Sequence, residues 1–91
     1  MNSDAKKRLL VVLTKPAQKS LDRVPSFDRA RIIAALEGME DAPLLGDVRK
    51  LYGGREGFRK RVGNWRVFFD LYSSEGRVVI TAIERRTSTT Y

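Results

Sequence analysis

The chain has 91 residues and a net charge of +7, with 42% hydrophobic and 32% charged residues, which suits one folded domain and is too short for two. It contains no cysteine and no histidine, so disulfides, cysteine-ligated zinc, histidine metal sites and imidazole-based catalysis are excluded. Any chemistry falls to lysine, arginine, tyrosine and the carboxylates.

No segment approaches the roughly 20 apolar residues that cross a bilayer, and the first apolar run is too short for a signal peptide. We therefore expect one domain over residues 1–91, located in the cytoplasm. The charge is uneven along the chain: residues 1–47 carry eight basic and seven acidic groups, whereas residues 48–91 carry ten and four. A basic second half favours a polyanionic partner such as nucleic acid or an acidic protein, and an anionic membrane surface least.

The first half of the chain predicts one strand and two helices. The apolar run at 9–14 predicts a buried strand, and Thr14 is placed to cap a helix over residues 15–24. Ser26 is the predicted N-cap of a second helix that continues to about Asp41. We expect the apolar stripe of that helix to consist of Ile32, Ile33, Leu36 and Met39.

The second half of the chain predicts strands separated by short turns. A short strand over 48–52 precedes a turn at Gly53 and Gly54, and strand segments follow at 58–62, 65–72 and 77–84. The predicted order is β-α-α-β-β-β, an α+β fold in which a helical hairpin packs on a mostly antiparallel sheet of about four strands.

Strand alternation sorts the basic residues of the segment FRKRVGNWRVFFD. It places Arg59 and Arg61 on one face and points Lys60 to the other. Arg66 lies in a strand that is apolar on both faces. It either pairs with Asp70 on the same strand, emerges at the end of the strand, or has a functional role.

Two further arginines, Arg85 and Arg86, end the last predicted strand. We expect four or five guanidinium groups to line one surface. Guanidinium pairs phosphate oxygens in a fork geometry and stays charged at physiological pH, so the pattern favours a phosphodiester site.

Four segments together resemble the RelE/ParE superfamily of toxins from type II toxin-antitoxin systems. They are TKPAQKSLDRVP, LGDVRKLYGG, FRKRVGNWRVFFDL and the closing IERR with Tyr91. The resemblance implies a RelE-like fold and a ribosome-dependent endoribonuclease. Such an enzyme cuts mRNA in the decoding site by attack of a 2′-hydroxyl on the adjacent phosphate, with no metal and no small-molecule cofactor. The implied partners are a cognate antitoxin, the ribosome and mRNA, with no membrane partner.

Residue by residue, the resemblance implies a catalytic set in this chain: Arg59, Arg61, Arg66, Arg85 and Tyr91, with Arg86 able to replace Arg85 if the tail is shifted by one. Other basic side chains are expected to contact RNA: Arg49, Lys50, Arg55, Lys60 and Arg86.

Two alternatives remain open at this point. One is the ParE-type branch of the same fold, which inhibits DNA gyrase and has no nuclease site. The other is a non-catalytic nucleic-acid-binding module, for which the basic half suffices. The general base is also open, because arginine is too weakly acidic to serve and the strand pattern shows no obvious carboxylate beside Arg59, Arg61 and Arg66.

Overall fold

The computed structural model describes residues 8–52 and 57–86. Within them lie two α-helices, α1 (Lys15–Arg23) and α2 (Ser26–Gly38), and a short 3₁₀ helix at Ser73–Glu75. The strands in the same residues are β1 (Leu10–Leu13), β2 (Val48–Lys50), β3 (Phe58–Val62), β4 (Trp65–Tyr72) and β5 (Arg77–Arg85). Arg55, Tyr91 and the turn expected at Gly53 and Gly54 lie outside the described residues.

The strands form a mixed sheet in the order β1-β5-β4-β3-β2. β1 runs parallel to β5, and the other neighbouring pairs are antiparallel. The predicted α+β class with a helical pair on a mostly antiparallel sheet is confirmed. The described sheet has five strands rather than about four, because the short segment Val48–Lys50 pairs with β3 as an edge strand of its own. Among the described residues, neither helix is long and apolar enough to cross a membrane.

The core lies between the helices and one face of the sheet, which we call the helix face; the opposite side is the open face. The buried core residues are Ala17, Leu21, Val24, Ile32, Leu36, Met39, Val67, Phe69, Val78, Ile80 and Ile83. Phe58 and Phe69 stack across β3 and β4 with ring centroids 5.4 Å apart. Ile33, expected in the apolar stripe of α2, is instead 39% exposed, because it lies one residue past Ile32 and turns away from the sheet.

The helix boundaries follow the local chemistry of the chain. Thr14 caps α1 as expected, since its Oγ1 accepts a hydrogen bond from the backbone N–H of Ala17 at 3.3 Å. α2 begins at Ser26 itself, with Pro25 at the cap position, and ends at Gly38 rather than near Asp41. Glycine has a low helix propensity, which is consistent with the earlier end.

A bulge in β5 changes which side chains face the helices. The pairing steps from Ala82 opposite Phe68 to Ile80 opposite Phe69, so Thr81 is an extra residue in β5. Its Oγ1 donates to the carbonyl of Phe68 at 3.3 Å. The residues after the bulge are therefore shifted by one position in the alternation, and Ile83 returns to the core.

Alanine in place of Gly57 should destabilise the fold by at least about 2 kcal/mol. Gly57 has φ +96°, and a Cβ there would lie 2.5 Å from Oδ1 of Asp70 and 2.7 Å from the carbonyl oxygen of Phe69. Gly38→Ala is the matched control, because a Cβ at Gly38 meets nothing within 4 Å. We expect that change to be neutral or to stabilise α2 by up to about 1 kcal/mol. Urea unfolding of both variants measures the difference, and equal effects would contradict this account of Gly57.

Candidate functional site

Four arginines lie together on the open face, and we call them the arginine strip: Arg49, Arg59, Arg61 and Arg66. The β2–β3 register places Arg49 directly opposite Arg59, and the β3–β4 register places Arg61 directly opposite Arg66. Directly opposed residues of antiparallel strands have Cα atoms about 4.5–5.5 Å apart. Arg59 and Arg61 are two residues apart on β3 and share a face. The sheet therefore fixes four positive charges in a compact block.

Part of this block is desolvated. The side chain of Arg59 is only 19% exposed, and it lies opposite Phe68, which is buried although it belongs to the open face. The Nε atoms of Arg59 and Arg66 are buried and have no hydrogen-bond partner among residues 8–52 and 57–86. A buried donor without an acceptor costs about 1–3 kcal/mol, more when it is charged. These two guanidinium groups are thus partly removed from water.

Asp47 supplies the carboxylate nearest to the strip. Its Oδ1 lies 3.8 Å from Nη2 of Arg59 and its Oδ2 lies 3.5 Å from Nε of Arg61. Its backbone carbonyl also accepts the N–H of Arg61 at 2.9 Å, which extends the β2–β3 ladder by one residue. Asp47 was not among the predicted site residues, because only the pairing of β2 with β3 brings it to these arginines.

Glu84 is a second carboxylate beside the strip. The β4–β5 register places it directly opposite Arg66, and its flanking residues Ile83 and Arg85 both belong to the helix face. Glu84 is exposed, and it forms no ion pair with any of the described residues. The expectation that these arginines have no neighbouring carboxylate is therefore wrong.

Arg85 does not join the arginine strip, contrary to the expected convergence. Its guanidinium carbon lies 5.7 Å from the ring centroid of Trp65, and Trp65 belongs to the helix face, where its Nε1 donates to Oδ2 of Asp28 at 3.1 Å. The physical reason is the extra residue Thr81, which inverts the facing of every later β5 position.

Arg86 is placed better than Arg85 for the open face. It follows Arg85 by one residue, and its backbone N–H donates to the carbonyl of Asn64 at 2.6 Å, which continues the pairing beyond the end of β5. Strand alternation then directs Arg86 to the side of Glu84 and Arg66.

The two lysines expected to contact RNA lie on the helix face instead. Lys50 is opposite Phe58, a residue that packs on the core. Lys60 is opposite buried Val67, and its Nζ donates to the carbonyl of Leu45 at 2.6 Å. The ammonium of Lys60 therefore fastens the loop before β2.

Arg66 has no ion pair with Asp70 among the described contacts, although both belong to the same strand and face. Four residues of extended chain separate their Cα atoms by about 13 Å, which is too far for a direct pair. The structural interpretation of Arg66 as half of that ion pair is wrong, and its charge stays within the strip.

The family of the chain follows from a comparison with protein-family models. Residues 11–89 match the model described as the ParE toxin of type II toxin-antitoxin systems, parDE. The chain belongs to this ParE toxin family. It is thus a type II toxin of the RelE/ParE superfamily, as the sequence resemblance indicated. The comparison with curated proteins gives no match.

Solved structures of low sequence identity share the fold of this ParE-family toxin. The RelE-RelB complex from Pyrococcus horikoshii is 24% identical with a TM-score of 0.80, over 90% of this chain and 99% of that chain. The RelBE2 toxin-antitoxin complex from Mycobacterium tuberculosis is 22% identical with a TM-score of 0.79, over 87% and 99%. The isolated RelE toxin of E. coli is 13% identical with a TM-score of 0.75, over 89% and 87%. The RelE-like fold is therefore established.

Proposed function

We propose that this toxin is a ribosome-dependent endoribonuclease that cleaves mRNA in the decoding site, by attack of a ribose 2′-hydroxyl on the adjacent phosphate. The observation that carries the proposal is the arginine strip, which gathers four arginines at neighbouring positions of one sheet face. Like charges at neighbouring positions repel one another, and a bound phosphodiester would offset that repulsion and accept hydrogen bonds from the guanidinium groups. A ribosomal target implies action in the cytoplasm.

The strip is suited to electrostatic catalysis. In the proposal, Arg59, Arg61 and Arg66 hold the scissile phosphate and stabilise the negative charge that develops on its oxygens. Donors fixed in place by a sheet need little rearrangement when the charge forms, and the buried floor at Phe68 weakens competition from water. The proposed mechanism uses no metal and no cofactor. Tyr91, which lies outside the described residues, keeps its proposed role of stacking on a base or assisting proton transfer.

An antitoxin is the proposed protein partner of the strip. The solved structures with this fold include complexes of RelE with RelB. We propose that the cognate antitoxin of this toxin places an acidic segment over the arginine strip, because the same donors that bind phosphate also bind carboxylates.

A second candidate function is inhibition of DNA gyrase without nuclease activity. The match to a ParE family model favours it, because the ParE branch was the alternative that the sequence left open. The arginine strip favours the nuclease, because four arginines at neighbouring positions suit the binding of a phosphodiester.

Two assays on the purified toxin separate the candidates. In the first, the toxin is added to ribosomes programmed with a defined mRNA, and the 5′ ends of the fragments are mapped. In the second, the toxin is added to gyrase and relaxed plasmid. Cleavage at the decoding codon supports the nuclease, whereas loss of supercoiling without cleavage supports the gyrase inhibitor. Neither effect, together with salt-dependent RNA binding, would indicate a non-catalytic module.

We expect Arg86→Ala to weaken binding of a short single-stranded RNA by about tenfold, as the loss of one phosphate contact implies. The slope of log affinity against log salt should fall by about 0.7. Arg85→Ala is the matched control: it removes the same charge from the helix face and should change binding less. Fluorescence anisotropy at several salt concentrations measures both variants. A larger effect of Arg85→Ala would contradict the assignment of faces at the end of β5.

A further inference from the structure

Among the described residues, few groups near the arginine strip can accept a proton. Arginine keeps its own proton, the chain has no histidine, and Lys60 lies on the helix face with its Nζ bonded to Leu45. On the open face, Asp70 lies about 13 Å along β4 from Arg66, and Tyr72 about 20 Å. Two carboxylates remain within one strand spacing of the strip, and they are Asp47 and Glu84.

These two carboxylates lie at opposite ends of one row of residues across the sheet. The row crosses four strands and consists of Asp47, Arg61, Arg66 and Glu84. A phosphate held between Arg61 and Arg66 would lie about one and a half strand spacings, roughly 7 Å, from the Cα of either carboxylate residue. A side chain of two or three carbons closes most of that gap, so both carboxylates are in reach of the oxygens beside the phosphate.

The contacts of the two carboxylates differ. Each carboxylate oxygen of Asp47 faces a guanidinium, Oδ1 that of Arg59 and Oδ2 that of Arg61. Asp47 therefore orients arginines. Glu84 is exposed, has no ion pair among the described residues, and lies directly opposite Arg66. Its carboxylate pairs with no described basic group, and its backbone lies one strand spacing from that of Arg66.

We infer that Glu84 is the catalytic proton acceptor of this toxin, an inference that rests on the nuclease function proposed above. The Glu84 carboxylate takes the proton of the ribose 2′-hydroxyl, and the 2′-oxygen forms a bond to phosphorus. The bond from phosphorus to the 5′-oxygen breaks, which leaves a 2′,3′-cyclic phosphate. The departing oxygen takes a proton from water, and Glu84 returns its proton to the hydroxide that remains.

The test compares cleavage with binding in isosteric variants. Glu84→Gln keeps the shape of the side chain and removes its basicity. General base catalysis contributes about 10²–10⁴-fold, so we expect single-turnover mRNA cleavage on programmed ribosomes to fall by at least about 100-fold. Binding of a single-stranded RNA with every 2′-hydroxyl methylated should stay equal or become tighter, because a negative charge beside Arg66 is lost. Glu84→Asp should retain part of the activity.

Two further variants complete the experiment. Glu37→Gln removes an exposed carboxylate from α2, on the other side of the sheet, and should cleave like the wild type. Asp47→Asn should reduce cleavage less than Glu84→Gln. An equal or larger loss in Asp47→Asn, or cleavage by Glu84→Gln within about threefold of the wild type, would overturn the assignment of Glu84. Absence of cleavage by the wild type would overturn the proposed function itself, so the two failures are distinct.

Discussion

We expect Arg66→Ala to lower the proposed mRNA cleavage on programmed ribosomes by about 100- to 1,000-fold, the loss typical of removing one preorganised donor from developing charge. Arg66 belongs to the central strand β4 and lies opposite Arg61, and its buried Nε has no hydrogen-bond partner in the described part of the chain. Because that desolvated donor stabilises nothing in the free toxin, we expect the free energy of unfolding to change by less than about 1 kcal/mol. Cleavage is measured in a single turnover, and stability by urea unfolding.

The matched control for Arg66→Ala is Arg23→Ala. Arg23 is an exposed residue at the end of α1 and carries the same charge on the other side of the sheet. Its removal should leave cleavage unchanged, which separates a local effect at the strip from a general effect of net charge. Equal cleavage by the Arg66 variant and the wild type would refute the phosphate-binding role of Arg66.

Phe69→Ala should destabilise the toxin by about 3–5 kcal/mol. Phe69 is 1% exposed, stacks on Phe58, and lies in the middle of the sheet where β3, β4 and β5 meet the helices. For a domain of this size, 3 kcal/mol corresponds to a decrease in Tm of at least about 12 °C. A marginally stable domain would be largely unfolded by such a loss near physiological temperature.

Phe27→Ala is the control for the core variant. Phe27 has the same side chain but is 76% exposed in the first turn of α2, so its removal should cost no more than about 0.5 kcal/mol. Thermal unfolding followed by circular dichroism measures both variants. A similar decrease in Tm for the two would mean that the core is not centred on Phe69.

The order and type of the elements could be predicted because local signals agree with one another. β3 and β4 have the predicted bounds, since Gly63 and Asn64 mark the turn of the hairpin between them. Thr14 as the N-cap, together with Pro16 in the first turn, marks the start of α1. In these segments, capping, turn chemistry and hydrophobic period favour the same structure.

The bulge at Thr81 could not be predicted from the sequence. The residues from Val78 to Ile83 are apolar or small at nearly every position, so an extra residue leaves no break in the pattern. Only the pairing with β4 shows that Glu84 lies on the open face and Arg85 on the helix face, the reverse of what an unbroken alternation would give. The expected convergence of Arg85 on the strip was wrong for this reason.

The composition of the strip was predicted in part. Strand alternation predicted that Arg59 and Arg61 share a face, because they are two residues apart on one strand. The neighbours Asp47 and Glu84 come from other strands, and strand register depends on long-range pairing that no local pattern contains. Desolvation of the Nε atoms of Arg59 and Arg66 likewise depends on what packs around them in the folded chain.

The end groups of the cleaved mRNA test the central claim most directly. The wild-type toxin is incubated with programmed ribosomes, and the fragments are analysed by mass spectrometry. Attack by the 2′-hydroxyl at a phosphate held by the arginine strip predicts a 2′,3′-cyclic phosphate on the upstream fragment and a 5′-hydroxyl on the downstream one. An intact message, or fragments with a 5′-phosphate, would contradict this account.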